Sequence, residues 1–194
     1  MLKKLNEQKT WWKANLNIQE LIKNTKKAIQ DNHITFSKYC IKLEIFLQKK
    51  LKVKHVILCN SGTSALFMAT LAANIHGRIK IYCPAITWSG TINGALYANK
   101  KINLIDSKQN EVNADYSSIL NKIRTTDLLY LTHMNGKSAY DKNLFNKLKK
   151  KKIFIIEDAA QSFLAKDFRN QYLGTSFDIG CFSLSYTKIC NMVY

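Results

Sequence analysis

The chain has 194 residues, 46% of them hydrophobic, with 1 proline and 7 glycines, enough for one sizeable core and unlike a linker, a collagen or a low-complexity chain. Its 30 Lys and Arg against 13 Asp and Glu give a formal net charge of +17, a balance that can signal nucleic acid or a membrane surface. The lysines are spread along the whole chain, however, and the dense run KLKKKK at 147–152 ends a predicted helix, where cations complement the helix dipole; with no aromatic–basic interleaving, no nucleic-acid partner is expected.

In chain order, residues 16–31 and 36–51 carry apolar positions at helical spacing and predict two helices. VKHVILC at 53–59 reads as a short strand, and NSGTSALFMATLAANIHG at 60–77 as a helix with capping residues at its start and Gly77 at its end. RIKIYCP (78–84) is a strand stopped by the proline, TWSGTINGALYANK (87–100) a small-residue helix and KINLIDS (101–107) a strand. ADYSSILNKI (114–123) reads as a helix, DLLYLTHM (127–134) as a strand and SAYDKNLFNKLKKKK (138–152) as a helix. IFIIEDAAQS (153–162) and DIGCFSLSY (178–186) are the last strands. Strands alternating with helices predict an α/β fold: a mainly parallel sheet covered by helices on both faces, in three α/β/α layers.

The opening MLKKLNEQKTWW lacks an apolar run of signal-peptide length, and no stretch nears the ~20 apolar residues that span a bilayer. The expectation is a cytoplasmic chain with no membrane partner. The cysteines, at 40, 59, 83, 181 and 190, are odd in number, form no CxxC and mostly sit inside apolar segments; they read as reduced, buried thiols, with neither a disulfide framework nor a metal site.

In open α/β sheets ligands bind beyond the carboxyl ends of the strands. Those ends carry Asn60 to Thr63, Pro84 to Trp88, Asp106, His133, Glu157–Asp158 and Ser183 to Lys188. Ser61-Gly62-Thr63 opens a helix straight after a predicted strand, either as an ordinary cap or as an anion site built from free N–H groups. Asp158 ends an apolar strand, where a carboxylate needs a positive partner or serves as a cap. Trp88 could stack on a flat ligand or belong to the core. Lys188 follows an apolar strand, so it is either a surface lysine or an amine near a desolvated site, where a lowered pKa makes it nucleophilic toward carbonyls.

NSGTSAL (60–66), CPAITWSGTINGAL (83–96), HMNGKSAYD (133–141), IEDAAQS (156–162) and DIGCFSLSYTK (178–188) together resemble, in order and rough spacing, the DegT/DnrJ/EryC1/StrS family of pyridoxal-phosphate-dependent nucleotide-sugar aminotransferases. The resemblance runs from about residue 30 to the end, and the EDAAQ element with its downstream FS-x3-TK is its specific part. It implies the fold type I large domain at 36–194, preceded by an N-terminal helical segment at 1–35. It implies that Lys188 forms a Schiff base with pyridoxal 5'-phosphate and that Asp158 pairs with the ring nitrogen. By the same resemblance Gln161 lies near the ring hydroxyl, Gly62, Thr63 and Ser183 cradle the phosphate, and Trp88 stacks on the ring. His133 matches a strand-end histidine on the substrate side. The substrates implied are glutamate and a nucleotide-linked keto-sugar, the product an aminosugar or surface-polysaccharide precursor, and the assembly a homodimer. Lys188 speaks against the family's dehydratase branch, which has a His there. Asn135 and Lys137 depart from the aromatic and Gln found in many members. The family also continues past the lysine into a Gly-rich segment and a C-terminal small domain, so the chain is expected to be the N-terminal part of such an enzyme. The alternatives are a truncated, non-catalytic remnant and one half of a split enzyme.

Overall fold

The computed structural model describes residues 17–33, 35, 37–74, 77, 80–97 and 100–185. Two helices come first. Helix α1 (Ile18–Gln30) is capped by the Asn17 side chain, which accepts the Glu20 N–H at 3.2 Å, and buries none of its residues. Asp31 just beyond it accepts from Lys38 Nζ at 2.9 Å and from the Tyr39 hydroxyl at 3.0 Å, tying it to helix α2 (Lys38–Leu51). Helix α2 ends on Lys52 in the left-handed region and buries Leu47 and Leu51 against Phe163.

The strand predicted at 53–59 does not form. That stretch has no regular structure and pairs with no other strand among the described residues. Val53, Val56 and Leu58 instead pack onto the α2 cluster, and the Leu58 N–H is satisfied by Glu44 Oε1 at 2.9 Å. The apolar residues of this stretch reported burial, which a covering loop shares with a strand.

From there the alternation holds: α3 (Gly62–Asn74), β1 (Lys80–Pro84), α4 (Ser89–Tyr97), β2 (Lys101–Ile105), β3 (Leu128–Thr132), α5 (Lys142–Lys151), β4 (Phe154–Asp158) and β5 (Ile179–Cys181). The helix predicted at 114–123 is only a short 3-10 turn, Tyr116–Ile119, continued by turns. Its apolar side chains Tyr116, Ile119, Leu120 and Ile123 are nevertheless buried, as helical spacing demands.

All five strands are parallel, in the order β2-β1-β3-β4-β5. Side chains alternate between two packed faces. On one, Ile81, Cys83, Leu128, Tyr130, Ile156 and Cys181 meet α3 and α4 through Leu66, Ala69, Ala73 and Ala95. On the other, Tyr82, Leu129, Leu131 and Ile155 meet α5 and the 116–123 turns. Burial on both faces explains why β3, LLYLT, is apolar almost throughout. Among the described residues no helix is long and apolar enough to cross a membrane.

The strand order reverses between β1 and β3, the switch point where ligands of such sheets bind. The His133 N–H bonds the Asp158 carbonyl on β4 at 3.0 Å, so the Thr132 N–H points toward β1. It finds the buried Tyr116 hydroxyl there, at 2.8 Å.

Candidate active site

Helix α3 starts at Gly62, with Ser61 as its cap: Ser61 Oγ accepts the Ser64 N–H at 3.1 Å. The first N–H groups of a helix have no partner within it, and the dipole adds partial positive charge at that end. The chain leaving β5 is laid directly against this start. A Cβ on Gly62 would stand 3.1 Å from Ser183 Cβ and 3.3 Å from the Phe182 carbonyl oxygen, so the absent side chain is what allows the approach. Gly90 on α4 plays the same part next door. A Cβ there would lie 2.7 Å from Thr63 Oγ1 and 3.1 Å from Trp88 Cδ1. Gly62, Thr63, Ser183 and Trp88 therefore converge, and the Trp88 indole is 69% exposed, which rules out the core reading.

Asp158, at the end of β4, faces the same side of the sheet. It is buried, and its Oδ2 accepts the Thr91 hydroxyl of α4 at 2.6 Å while its Oδ1 accepts the Ala160 N–H at 3.1 Å. Thr91 Oγ1 in turn lies 2.8 Å from Thr87 Oγ1. Burial, and secondarily the Asp158 charge, pushes the Cys83 thiol beneath up to about 12. Sequence reasoning missed Thr91. Its signal was faint: a hydroxyl residue on the small-residue face Gly90, Thr91, Gly94, Ala95 that α4 buries.

Glu157, the preceding residue, points the other way. It is fully buried. Its Oε1 accepts the N–H groups of Ser176 (2.7 Å) and Phe177 (2.9 Å), and its Oε2 accepts those of Gly174 (3.1 Å) and of the His133 ring at Nε2 (3.1 Å). The substrate-side role expected of His133 does not fit this geometry. The ring is fully buried, its Nδ1 accepts the Ala139 N–H at 3.1 Å, and it stacks edge-on against Tyr140. Both nitrogens are engaged on the α5 face, away from Asp158. Gln161 lies in the turn after β4, with its Oε1 accepting the Asn135 N–H at 3.1 Å. Lys137 pairs with Glu111 at 3.2 Å on the surface. Asp106 is exposed at the sheet's edge and accepts the Ser107 N–H at 2.8 Å. Lys188 lies outside the described residues.

The model of the DegT/DnrJ/EryC1/StrS aminotransferase family matches residues 16–193. The chain belongs to that family. Among curated members it is 31% identical over 166 residues to the UDP-4-amino-4,6-dideoxy-N-acetyl-beta-L-altrosamine transaminase of Campylobacter jejuni subsp. jejuni serotype O:23/36 (strain 81-176), covering 84% of this chain and 43% of that protein. It is 27% identical over 151 residues to the GDP-perosamine synthase of Escherichia coli O157:H7, covering 77% and 41%. The chain thus spans less than half the length of these relatives. In fold it resembles a GDP-4-keto-6-deoxymannose-3-dehydratase mutant with bound GDP-perosamine (TM-score 0.80, 20% identity, 92% of this chain and 47% of the other). The E. coli dehydratase with bound hydrated PLP is similar too (0.76, 21%, 89% and 46%). In this DegT/DnrJ/EryC1/StrS chain the matched span contains every residue brought together at the strand ends.

Proposed function

We propose that the chain is the cofactor-binding part of a pyridoxal-phosphate-dependent aminotransferase that moves an amino group from glutamate onto a nucleotide-linked keto-sugar, toward an aminosugar or surface polysaccharide. The observation that carries this reading is Asp158: a buried carboxylate at a strand end, on the same face as a helix start that Gly62 leaves open to Ser183. A negative group and the free N–H groups of a helix start on one face of the sheet fit a ligand with a cationic ring nitrogen and a phosphate.

Pyridoxal phosphate, when bound, supplies an electron sink next to the reacting nitrogen. The residues of the chain do the rest. The α3 start, with Thr63 and Ser183, takes the phosphate; Trp88 covers one face of the ring; Asp158 keeps a proton on the ring nitrogen; Gln161 faces the ring hydroxyl. Lys188 would supply the amine that holds the group and, once displaced by the amine of the amino-acid substrate, its freed Nζ would take the proton from the amino-acid Cα. A lysine there favours amino transfer over dehydration. The names of the two curated relatives above favour nucleotide sugars as acceptors. Exposed Met68, Leu71, Leu96 and Tyr97 on α3 and α4 favour a homodimer, and the localisation expected is the cytoplasm. The division into a helical segment at 1–35 and a large domain from 36 belongs to the same proposal, supported by the absence of buried residues in α1.

The test is titration of pyridoxal phosphate into the wild-type chain and Lys188→Ala, followed by visible absorbance. A saturable band in the wild type alone is expected; identical weak spectra would overturn the reading. A second reading is that the chain binds the cofactor without turnover. Glutamate with a panel of nucleotide-linked keto-sugars separates the two, since aminated product from this chain alone excludes the second.

A further inference from the structure

Thr91 touches both of the residues proposed to hold the cofactor ring. Its N–H bonds the Trp88 carbonyl at 2.9 Å, and its hydroxyl bonds Asp158 Oδ2 at 2.6 Å. It is 1% exposed. An ionised carboxylate only accepts, so the Thr91 proton is committed to Asp158. Thr87, at 2.8 Å, must then donate into Thr91, which polarises the pair further. With the Ala160 N–H on Oδ1, the carboxylate is gripped at both oxygens from two separate elements. The Thr91 hydroxyl from α4 and the Ala160 N–H from the turn after β4 hold the two oxygens from different directions, which fixes the plane of the carboxylate.

We propose that Thr91 is a positioning residue: it sets the plane of the Asp158 carboxylate and its spacing from Trp88, so that a cationic ring nitrogen held under the indole meets an oxygen already aimed at it. The inference rests on the reading of Asp158 given above. It goes beyond that reading by naming the residue through which α4 controls how strongly a ring nitrogen is held.

The test compares Thr91→Ser with Thr91→Ala. Both lose the methyl group; only the second loses the hydroxyl. Each is titrated with pyridoxal phosphate and with its 1-deaza analogue, which has CH in place of the ring nitrogen, and dissociation constants are read from absorbance. If the Thr91 hydroxyl acts through Asp158 on the nitrogen, the alanine variant loses about tenfold in affinity for pyridoxal phosphate. Its affinity for the deaza analogue stays within about twofold, and the serine variant resembles the wild type. Equal losses for both ligands would mean a general packing defect and overturn the proposal, as would no loss. Should the alanine variant not fold, Thr91→Cys, a weaker donor in the same place, is expected to fall between serine and the loss described; a cysteine variant equal to serine overturns the proposal. A wild-type chain that binds both ligands equally would refute the Asp158 reading itself.

Discussion

Replacing Glu157 by glutamine changes one oxygen into an NH2 group and leaves the shape intact, yet it is expected to be among the costliest single changes in the chain. Four donors converge on this fully buried carboxylate: the Gly174, Ser176 and Phe177 N–H groups and the His133 ring. The glutamine oxygen can keep the Ser176 and Phe177 pair. Its NH2 group then faces Gly174 N–H and His133 Nε2–H, donor against donor. Moving the histidine proton to Nδ1 does not help, because Nδ1 already accepts the Ala139 N–H and that donor would be stranded instead. Two buried donors without acceptors cost about 1–3 kcal/mol each, so the expected loss is about 4 kcal/mol, against the roughly 5–15 kcal/mol that a domain has in total. Urea unfolding followed by circular dichroism measures it, with an unchanged slope showing that the same surface is exposed. Hydrogen exchange should locate the lesion at the amides of residues 174–177. A loss below about 1 kcal/mol would refute the reasoning and mean that the 174–177 segment is held by something else.

Gly62→Ala is expected to weaken pyridoxal phosphate binding about tenfold while changing stability by no more than about 1 kcal/mol, because the new methyl group at 3.1 Å from Ser183 must push the two sides of the cradle apart; unchanged binding in the absorbance titration would sink this. Asp167 shows a linkage effect. Burial raises its carboxyl, but the Arg169 side chain and the N–H groups of Arg169 and Gln171 outweigh burial and hold it below 3.8. Its contribution is therefore present above that pH and lost as pH falls through the lower, folded value. The stability difference between wild type and Asp167→Asn should be about 2 kcal/mol at pH 7 and shrink as pH falls through the folded value below 3.8; a difference independent of pH would refute it. Burial and the Asp158 charge push the Cys83 thiol up to about 12, whereas Cys59 is exposed, contrary to the burial expected of the thiols; at pH 8 iodoacetamide should modify Cys59 well before Cys83, as peptide mass mapping will read, and equal labelling in the native chain would contradict the burial described.

The parallel core was legible because burial on both faces leaves long apolar runs, and β3 and β4 stand out as such in the sequence. Asp158 was legible for a related reason: an acid closing an apolar strand conflicts with its surroundings unless it has work to do. The segment 53–59 misled because its apolar residues Val53, Val56 and Leu58 pack against the α2 cluster without forming a strand, and pairing partners cannot be read from one segment. Residues 114–123 carry helical spacing and bury the residues it picks out, but the backbone there turns in short steps. His133 was placed by its position at a strand end and by the family resemblance. Register would have separated it from the site, since Thr132 lies opposite Asp158 and the next residue must point to the other face. Thr91 was hidden because its importance comes from a residue 67 positions away.

The two neighbouring acids of β4 make one strand answer to two masters. Glu157 fastens the chain to itself on the α5 side, and Asp158 is held on the α4 side, where the cofactor is proposed to bind. Half the thickness of a sheet separates them, and they share no hydrogen-bond partner among those described. Variation on the ligand side of this strand can therefore accumulate without loosening the Glu157 clasp. A change on the α4 side of this strand can in this way alter what is held there while leaving intact what keeps the chain folded.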